Sequence, residues 1–294
     1  MNCPVCNQNA ANAYLQVKDY TVSNKLFELM RCQSCGFVYT RNPPDKNQIG
    51  LYYQSDAYIS HTDSKKGLFN KVYQFVRNYS IGQKLKLVEK YSNRSIGTIL
   101  DYGCGTGTFL HCMKINGWHV TGIEPDPSAQ KKASELISQQ VFNPDHLKSL
   151  ESNSFDVVTL WHVLEHVHEL QSTVAELKRI LKQHSLLVIA VPNHLSWDAI
   201  HYQEHWAAYD VPRHLYHFNP ASIDQLLLSH GFSRKSIRPM WFDAFYVSLL
   251  SEKYRHGSIR VFPALIKGFI SNIRALIKPG TCSSQIFIYQ STNH

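Results

Sequence analysis

The sequence predicts an α/β protein, a mostly parallel sheet with helices on both faces, preceded by a small cysteine-rich module. Three observations predict it. Strand-like apolar runs alternate with segments of helical period between residues 96 and 239. Within them, Ile99-Leu100-Asp101-Tyr102-Gly103-Cys104-Gly105-Thr106-Gly107-Thr108-Phe109-Leu110 joins a buried strand, a glycine turn and a helix start. Two Cys-x-x-C pairs, Cys3/Cys6 and Cys32/Cys35, bracket a short stretch of β-type alternation. With 294 residues, 44% of them hydrophobic and 18% charged, the chain can bury one full α/β core and still carry a small extra module. No apolar run reaches the roughly 18 residues of a membrane span. The start, Met1-Asn2-Cys3-Pro4, carries neither a basic nor an apolar leader, so a cytoplasmic protein is expected. The formal charge of +8 suits an anionic partner, although net charge speaks to association and solubility and not to fold.

The first module, residues 1–45, is read from its cysteines. Each Cys-x-x-C pair places two thiolates on a tight turn, and Cys3, Cys6, Cys32 and Cys35 together complete a four-sulfur tetrahedron around one zinc ion. Between the pairs, Ala13–Val17 and Leu26–Met30 alternate as short strands do, which gives a zinc ribbon. Four sulfur ligands leave no open position for substrate, so the metal is expected to be structural. A disulfide pairing or a redox pair are the alternatives; nothing in the sequence marks an oxidising compartment. Cys104 and Cys112 read as small buried residues, not nucleophiles.

Arg41-Asn42-Pro43-Pro44-Asp45 closes that module with a turn cluster. Residues 46–95 form a helical lead-in: Leu68, Val72, Phe75, Val76, Leu85, Leu87 and Val88 are apolar, with Lys71, Arg77, Lys84, Lys86 and Lys90 among them. One or two amphipathic helices covering the sheet edge are expected, their basic face solvated. The main domain spans 96–294, with strands near 96–101, 118–123, 140–142, 155–160, 185–191 and 233–239 and helices between. A helical insertion at about 241–279, aromatic and basic, precedes a last strand at Ser284–Gln290. That insertion caps the substrate, packs with a solvated basic face, or lies on a membrane surface through Lys253, Arg255, Arg260, Lys267 and Arg274.

In a sheet of this kind the ligand sits outside the carboxyl ends of the central strands. Alternate glycines at Gly103, Gly105 and Gly107 let bare backbone approach a ligand there, and the helix behind offers unpaired N–H groups. Glu124 ends the next strand, where a carboxylate can bridge the ribose hydroxyls of an adenosine. A dinucleotide fingerprint starting at Gly103 would need glycine at position 108, where Thr108 stands.

The pattern Asp101-x-Gly103-x-Gly105-x-Gly107, with Glu124 and the segment Ser154–Val167, resembles class I S-adenosylmethionine-dependent methyltransferases. The resemblance covers about residues 70–240. It implies a Rossmann-like sheet, parallel with an antiparallel last strand, and S-adenosylmethionine as cofactor. It also implies roles: Asp101 and the three glycines order the loop, Glu124 holds the ribose, and Asp145 reaches the adenine amine. Trp161 and His162, after the fourth strand of the domain, wall the pocket.

A sulfonium methyl is already activated, so its transfer needs alignment, exclusion of water and, for a weak nucleophile, a base. Five of the sixteen histidines crowd into residues 194–217, after the fifth strand of the domain, where related enzymes hold the acceptor. His205, His214 and His217 are therefore candidate bases and Arg213 an acceptor-side residue, with His162 and His166 as alternatives. A four-cysteine module with Glu204-His205 and Pro212-Arg213-His214 partly resembles zinc-containing sugar methyltransferases. The segment His162-Val163-Leu164-Glu165-His166 is closer to bacterial small-molecule methyltransferases, which include ubiquinone-type O-methyltransferases. The expected acceptor is a small or carrier-linked molecule such as a sugar or lipid-like hydroxyl compound. Nucleic-acid methylation is the alternative. Against it, Trp161-His162-Val163 replaces the Asn/Asp-Pro-Pro-aromatic signature of base-amine methylation, and no stacking surface accompanies the ribbon. A non-catalytic docking module is the third reading.

Overall fold

The computed structural model describes residues 2–53 and 68–292. Its centre is a six-stranded sheet built from β4 (Thr98–Tyr102), β5 (His119–Ile123), β6 (Phe155–Trp161), β7 (Leu181–Pro192), β9 (Phe232–Pro239) and β10 (Ser284–Ser291). The strand order is β5-β4-β6-β7-β10-β9. β4 pairs in parallel with β5 and β6, and β6 with β7, whereas β10 runs antiparallel between β7 and β9. Every residue of β6 is buried, because both faces of a parallel sheet are covered. Leu100, Val158, Leu160, Leu187 and Ile189 face one core with the helices α4 (Leu170–Ile180) and α6 (Pro220–Leu228). Ile99, Val157, Val188 and Ile288 face the other, with α2 (Thr108–Ile115) and α3 (Pro127–Ile137). Start signals are local: the Asp126 carboxylate accepts from the Ala129 N–H at 2.7 Å ahead of Pro127, and Asn219 closes a capping box ahead of Pro220.

Two expectations are corrected. Residues 140–142 form no strand; Phe142 makes only an isolated parallel bridge to Ile123. Asn143-Pro144 follows at once, and proline removes the N–H a longer ladder needs. Among the described residues of the lead-in, a 3-10 turn at Ile49–Tyr53 precedes one α-helix, α1 (Leu68–Ser92), which lies on a sheet face beside α2, β6 and β7 instead of covering an edge. Val88 is fully buried there with Ile99, Met113 and Trp118. The side chains of Leu68, Lys71, Val72 and Phe75 lie outside the described residues.

A second sheet has the order β1-β2-β3-β8, all antiparallel, from β1 (Ala11–Lys18), β2 (Leu26–Cys32), β3 (Val38–Thr40) and β8 (Tyr216–His217). Its fourth strand comes from the histidine-rich segment, so the cysteine module and that segment share one sheet. Phe37 and Tyr39 join Tyr216 and Phe218 in the same apolar cluster as the central strands. Between β7 and β8 lies a short helix, α5 (Trp197–Tyr202). The insertion forms a hairpin of α7 (Asp243–His256) and α8 (Val261–Ile277), and none of the described helices is long and apolar enough to cross a membrane.

Candidate active site

The glycine loop leaves β4 with Gly103, Gly105 and Gly107 all at positive φ, +80°, +55° and +78°. They serve different ends. A Cβ on Gly103 would stand 2.3 Å from Val163 Cγ2, and one on Gly107 2.9 Å from Ala133 Cα, so those two let neighbouring segments close in. A Cβ on Gly105 would meet nothing within 4 Å; that glycine fronts open space. The Glu124 carboxylate, only 8% exposed, accepts from Gly105 N–H at 2.7 Å and Asp126 N–H at 3.0 Å. Burial nevertheless raises its pKa against those two bonds.

Behind the loop, buried Asp101 accepts from Thr159 Oγ1 at 2.6 Å. Desolvation pushes its carboxyl up to about 7, with the Thr159 bond and the Lys84 charge opposing. Lys84 comes from α1, with its ammonium 4.2 Å from the Trp161 ring centroid. Desolvation brings it down to about 8 while Asp101 and Asp243 resist. Lys84 is thus part of the site and not of a solvated basic face. A second α1 cation, Arg77, donates to Thr108 Oγ1 at 2.7 Å. Trp161 meets Phe109 edge-on at 5.5 Å, and its buried indole N–H has no partner among the described residues. Asp145 stands exposed in the turn after Asn143, close enough to Tyr102 to help burial push that phenol up to about 12.

His162 follows β6 in the left-handed region, φ +59°, where a histidine is rare and strained. Its Nε2 lies 2.9 Å from Asp243 Oδ2, and its Nδ1 3.4 Å from Glu165 Oε1. Burial works against its charge, but Asp243 and Glu165 raise it to about 10, so the ring is an imidazolium at neutral pH. That state holds a proton and accepts none, which removes His162 from the bases.

Four residues further on, a pair of histidines forms. The His166 and His214 rings meet edge-on at 4.6 Å, and their ligating atoms and those of Glu165 lie within 4.8 Å of one another. His166 Nδ1 lies 3.0 Å from the Arg213 carbonyl and His214 Nδ1 2.9 Å from the Ala208 carbonyl. A carbonyl only accepts, so each Nδ1 carries the hydrogen and each Nε2 the lone pair. Burial and the neighbouring His214 hold His166 down to about 4. Glu165 is fully buried, yet the protonated His162 beside it opposes that desolvation and keeps it ionised. Tyr53, ahead of α1, reaches His166 Nδ1 at 2.9 Å.

Three sequence-chosen residues stand elsewhere. Arg213, 1% exposed, puts its guanidinium on Asp210 at 2.7 Å, Asp19 of the cysteine module at 3.1 Å and the Tyr52 carbonyl at 2.9 Å. That network leaves no face of the guanidinium for an acceptor. His217 is buried beside Thr40 Oγ1 at 3.3 Å, and desolvation holds it neutral, well below the ordinary histidine range. His205 packs 6.3 Å from the Tyr20 ring of the β1–β2 turn, beside Glu204. All three are joints between the loop and the cysteine module in this geometry. Lys84, Asp243 and Tyr53 were not legible as site residues, since each arrives from a distant element with no motif; a lone acid at the first position of α7 was the one available signal.

The four cysteines converge. Cys3 and Cys35 Sγ atoms are 3.5 Å apart, as are those of Cys6 and Cys32; all four lie within 4.8 Å of one another, and none is in a disulfide. Burial raises the Cys3 thiol to about 11, while the Cys35 and Ser34 N–H groups overcome desolvation and hold Cys32 near 7.

A family model described as a methyltransferase domain matches residues 74–235. A ubiquinone biosynthesis O-methyltransferase of Rickettsia canadensis is 25% identical over 169 residues, 54% of this chain and 72% of the relative. One from Rickettsia felis is 24% identical over 210 residues, 68% of this chain and 85% of the relative. Among solved structures, an S-adenosylmethionine-dependent methyltransferase from Archaeoglobus fulgidus superposes with a TM-score of 0.51 at 19% identity, over 73% of this chain and 94% of that one.

Proposed function

The chain belongs to the methyltransferase-domain family of S-adenosylmethionine-dependent enzymes, and from that premise we propose that it methylates a hydroxyl group of a small or carrier-linked acceptor, sugar-like or lipid-like. The observation that carries the proposal is the juxtaposition of an open-fronted glycine loop with a partly buried Glu165–His166–His214 group, joined through Val163 against Gly103. The names of the ubiquinone-type relatives support oxygen as the atom methylated.

Bound at this loop, S-adenosylmethionine supplies a methyl group already activated on a sulfonium. The residues present fit it: Gly105 has free space before it and Glu124 places a carboxylate beside that space. Glu124 would hold the ribose and Asp145 the adenine side. Asp101, Trp161 and the fixed His162 would line the amino-acid end. His214 then acts as the base through Nε2, the nitrogen opposite the Nδ1 held on the Ala208 carbonyl, with His166 packed edge-on against it, and the ionised Glu165 stabilises the imidazolium that results. Arg213, His205 and His217 position this loop on the cysteine module and do not touch the acceptor.

The cysteine set also fits a metal. A tetrahedral zinc with bonds of about 2.3 Å needs sulfur–sulfur edges of roughly 3.8 Å, close to the 3.5 Å pairs seen. A zinc held by Cys3, Cys6, Cys32 and Cys35 would be structural, because four sulfurs close its coordination.

The test is kinetic. His214→Ala and His166→Ala are each expected to lower kcat by about 10²–10⁴ against hydroxylated sugars and phenols, with S-adenosylmethionine affinity preserved in titration calorimetry. Full turnover in the His214 variant clears that residue of the base role, and full turnover in the His166 variant clears its ring of any part in positioning the base. Turnover confined to RNA would overturn the small-molecule reading.

A further inference from the structure

Helix α8 is packed the reverse of a water-soluble helix. It buries only its small residues, Ala264, Gly268, Ser271 and Ala275. Its large apolar residues point outward: Phe262 is 75% exposed and Ile277 83%, and Leu265, Phe269, Ile273 and Leu276 are exposed with them. Their positions fill about a third of the helix circumference as one continuous arc. The cause is on the inner face, where Gly268 lets α8 press onto α7 so closely that a Cβ would stand 2.7 Å from Phe245 Cδ1 and 3.0 Å from its Cα. Aromatic groups continue the arc at the start of α7. Trp241, Phe242 and Tyr246 are exposed, and the Trp241 carbonyl accepts from Asn272 of α8 at 2.7 Å.

The charges around this face have one sign. Lys253, Arg255, Arg260, Arg274 and Lys278 are exposed on the hairpin. Its two acids are consumed internally: Asp243 holds His162, and fully buried Glu252 pairs with Lys267. An apolar arc of Phe, Leu and Ile flanked by arginine and lysine, on a helix that does not span, has the chemistry of an interfacial helix. We propose that the α7–α8 hairpin docks on an anionic lipid bilayer, with the large side chains of α8 in the acyl boundary and the basic flank on the headgroups. Charge complementarity selects this occupant over a second copy of the chain, since two copies would bring like-charged flanks together. The hairpin is joined to the candidate active site through Asp243, the first residue of α7, which holds His162. The docking itself does not depend on the proposed acceptor.

The experiment is vesicle flotation of the full chain. Vesicles of phosphatidylcholine with about a third phosphatidylglycerol are expected to carry the protein, and phosphatidylcholine alone to carry far less, with binding weakened by salt. Phe262→Asp combined with Phe269→Asp should reduce binding at least about tenfold, and Arg274→Glu with Lys278→Glu should abolish the preference for phosphatidylglycerol. Melting temperature and S-adenosylmethionine affinity, both measured on the same variants, should stay at wild-type values because these side chains face solvent. No flotation with phosphatidylglycerol, or flotation indifferent to both variants, overturns the proposal. A dimer in sedimentation that the aspartate pair dissolves, without vesicle binding, would assign the face to a second copy.

Discussion

At the scale of single residues, the site places charge where folding disfavours it. Desolvation raises Asp101 to about 7, so the folded chain binds this proton more tightly than an unfolded one with a carboxyl near 3.9. The contribution is most favourable at low pH and is lost as pH rises from about 4 to about 7. Asp101→Asn removes the buried charge and should make the ligand-free protein more stable at pH 8, with a flatter stability profile between pH 4 and 7 in denaturant melts. The same variant should bind S-adenosylmethionine more weakly. Lower stability at pH 8 would show instead that the ionised carboxylate, with Thr159 and Lys84, stabilises the fold. Glu124 carries a different prediction. Its carboxylate already accepts from two backbone N–H groups, and Glu124→Ala should weaken cofactor binding by about 1.5–3 kcal/mol through loss of charge-assisted hydrogen bonds. Unchanged affinity in calorimetry would remove it from the pocket.

At the scale of elements, close approach is the recurring device, and Gly268 tests it. Gly268→Val must push Phe245 or its backbone aside, so it should destabilise the hairpin by about 1–3 kcal/mol, as overpacking does. Because Asp243 begins α7, the variant should also loosen His162 and lower its pKa, which an NMR titration of the imidazole would read; a wild-type titration curve would uncouple the hairpin from the site. The central strands were legible because a strand buried on both faces is a largely apolar run, as β6 and residues Leu186–Val191 of β7 are. The glycine loop and Glu124 were legible because their chemistry needs fixed spacing. The strand expected at 140–142 failed on a length too short to outweigh the proline after it. β3 and β8, of three and two residues, carry no periodicity at all. Lys84 was read as solvated because helical pattern alone gives a basic stripe, and only the tertiary fold shows that the stripe turns to Asp101 and Trp161. His166 and His214 were legible as histidines of the right segments, but their pairing spans two loops that no local pattern connects.

At the scale of the whole molecule, the cysteine module and the histidine-rich loop are one structure. They share the β3–β8 pairing, the Thr40–His217 contact and the buried Arg213–Asp19 pair. The proposed base His214 stands between Arg213 and Leu215, and the N–H of Leu215 donates to the Glu165 carbonyl at 2.8 Å. A change at the four cysteines therefore has a short physical route to the site: through β3 to β8, and from β8 to His214 and Glu165. The proposed zinc, in a closed four-sulfur site, would contribute folding free energy directly, and its removal would take that away. Chelation should lower the melting temperature, speed hydrogen exchange at Tyr216 and His217, and reduce kcat more than cofactor affinity, since the glycine loop and Glu124 belong to the other sheet. Arg213→Met attacks the same joint without touching the four cysteines. It leaves Asp19 buried, still bonded to Ser23 but without its cation, and should cost about 3–5 kcal/mol. If the two treatments act on one joint, chelation of the Arg213→Met protein should add less than the sum of the separate losses in stability. Strict additivity would mean that the proposed zinc steadies the cysteine module alone and that the histidine loop is held by its own sheet.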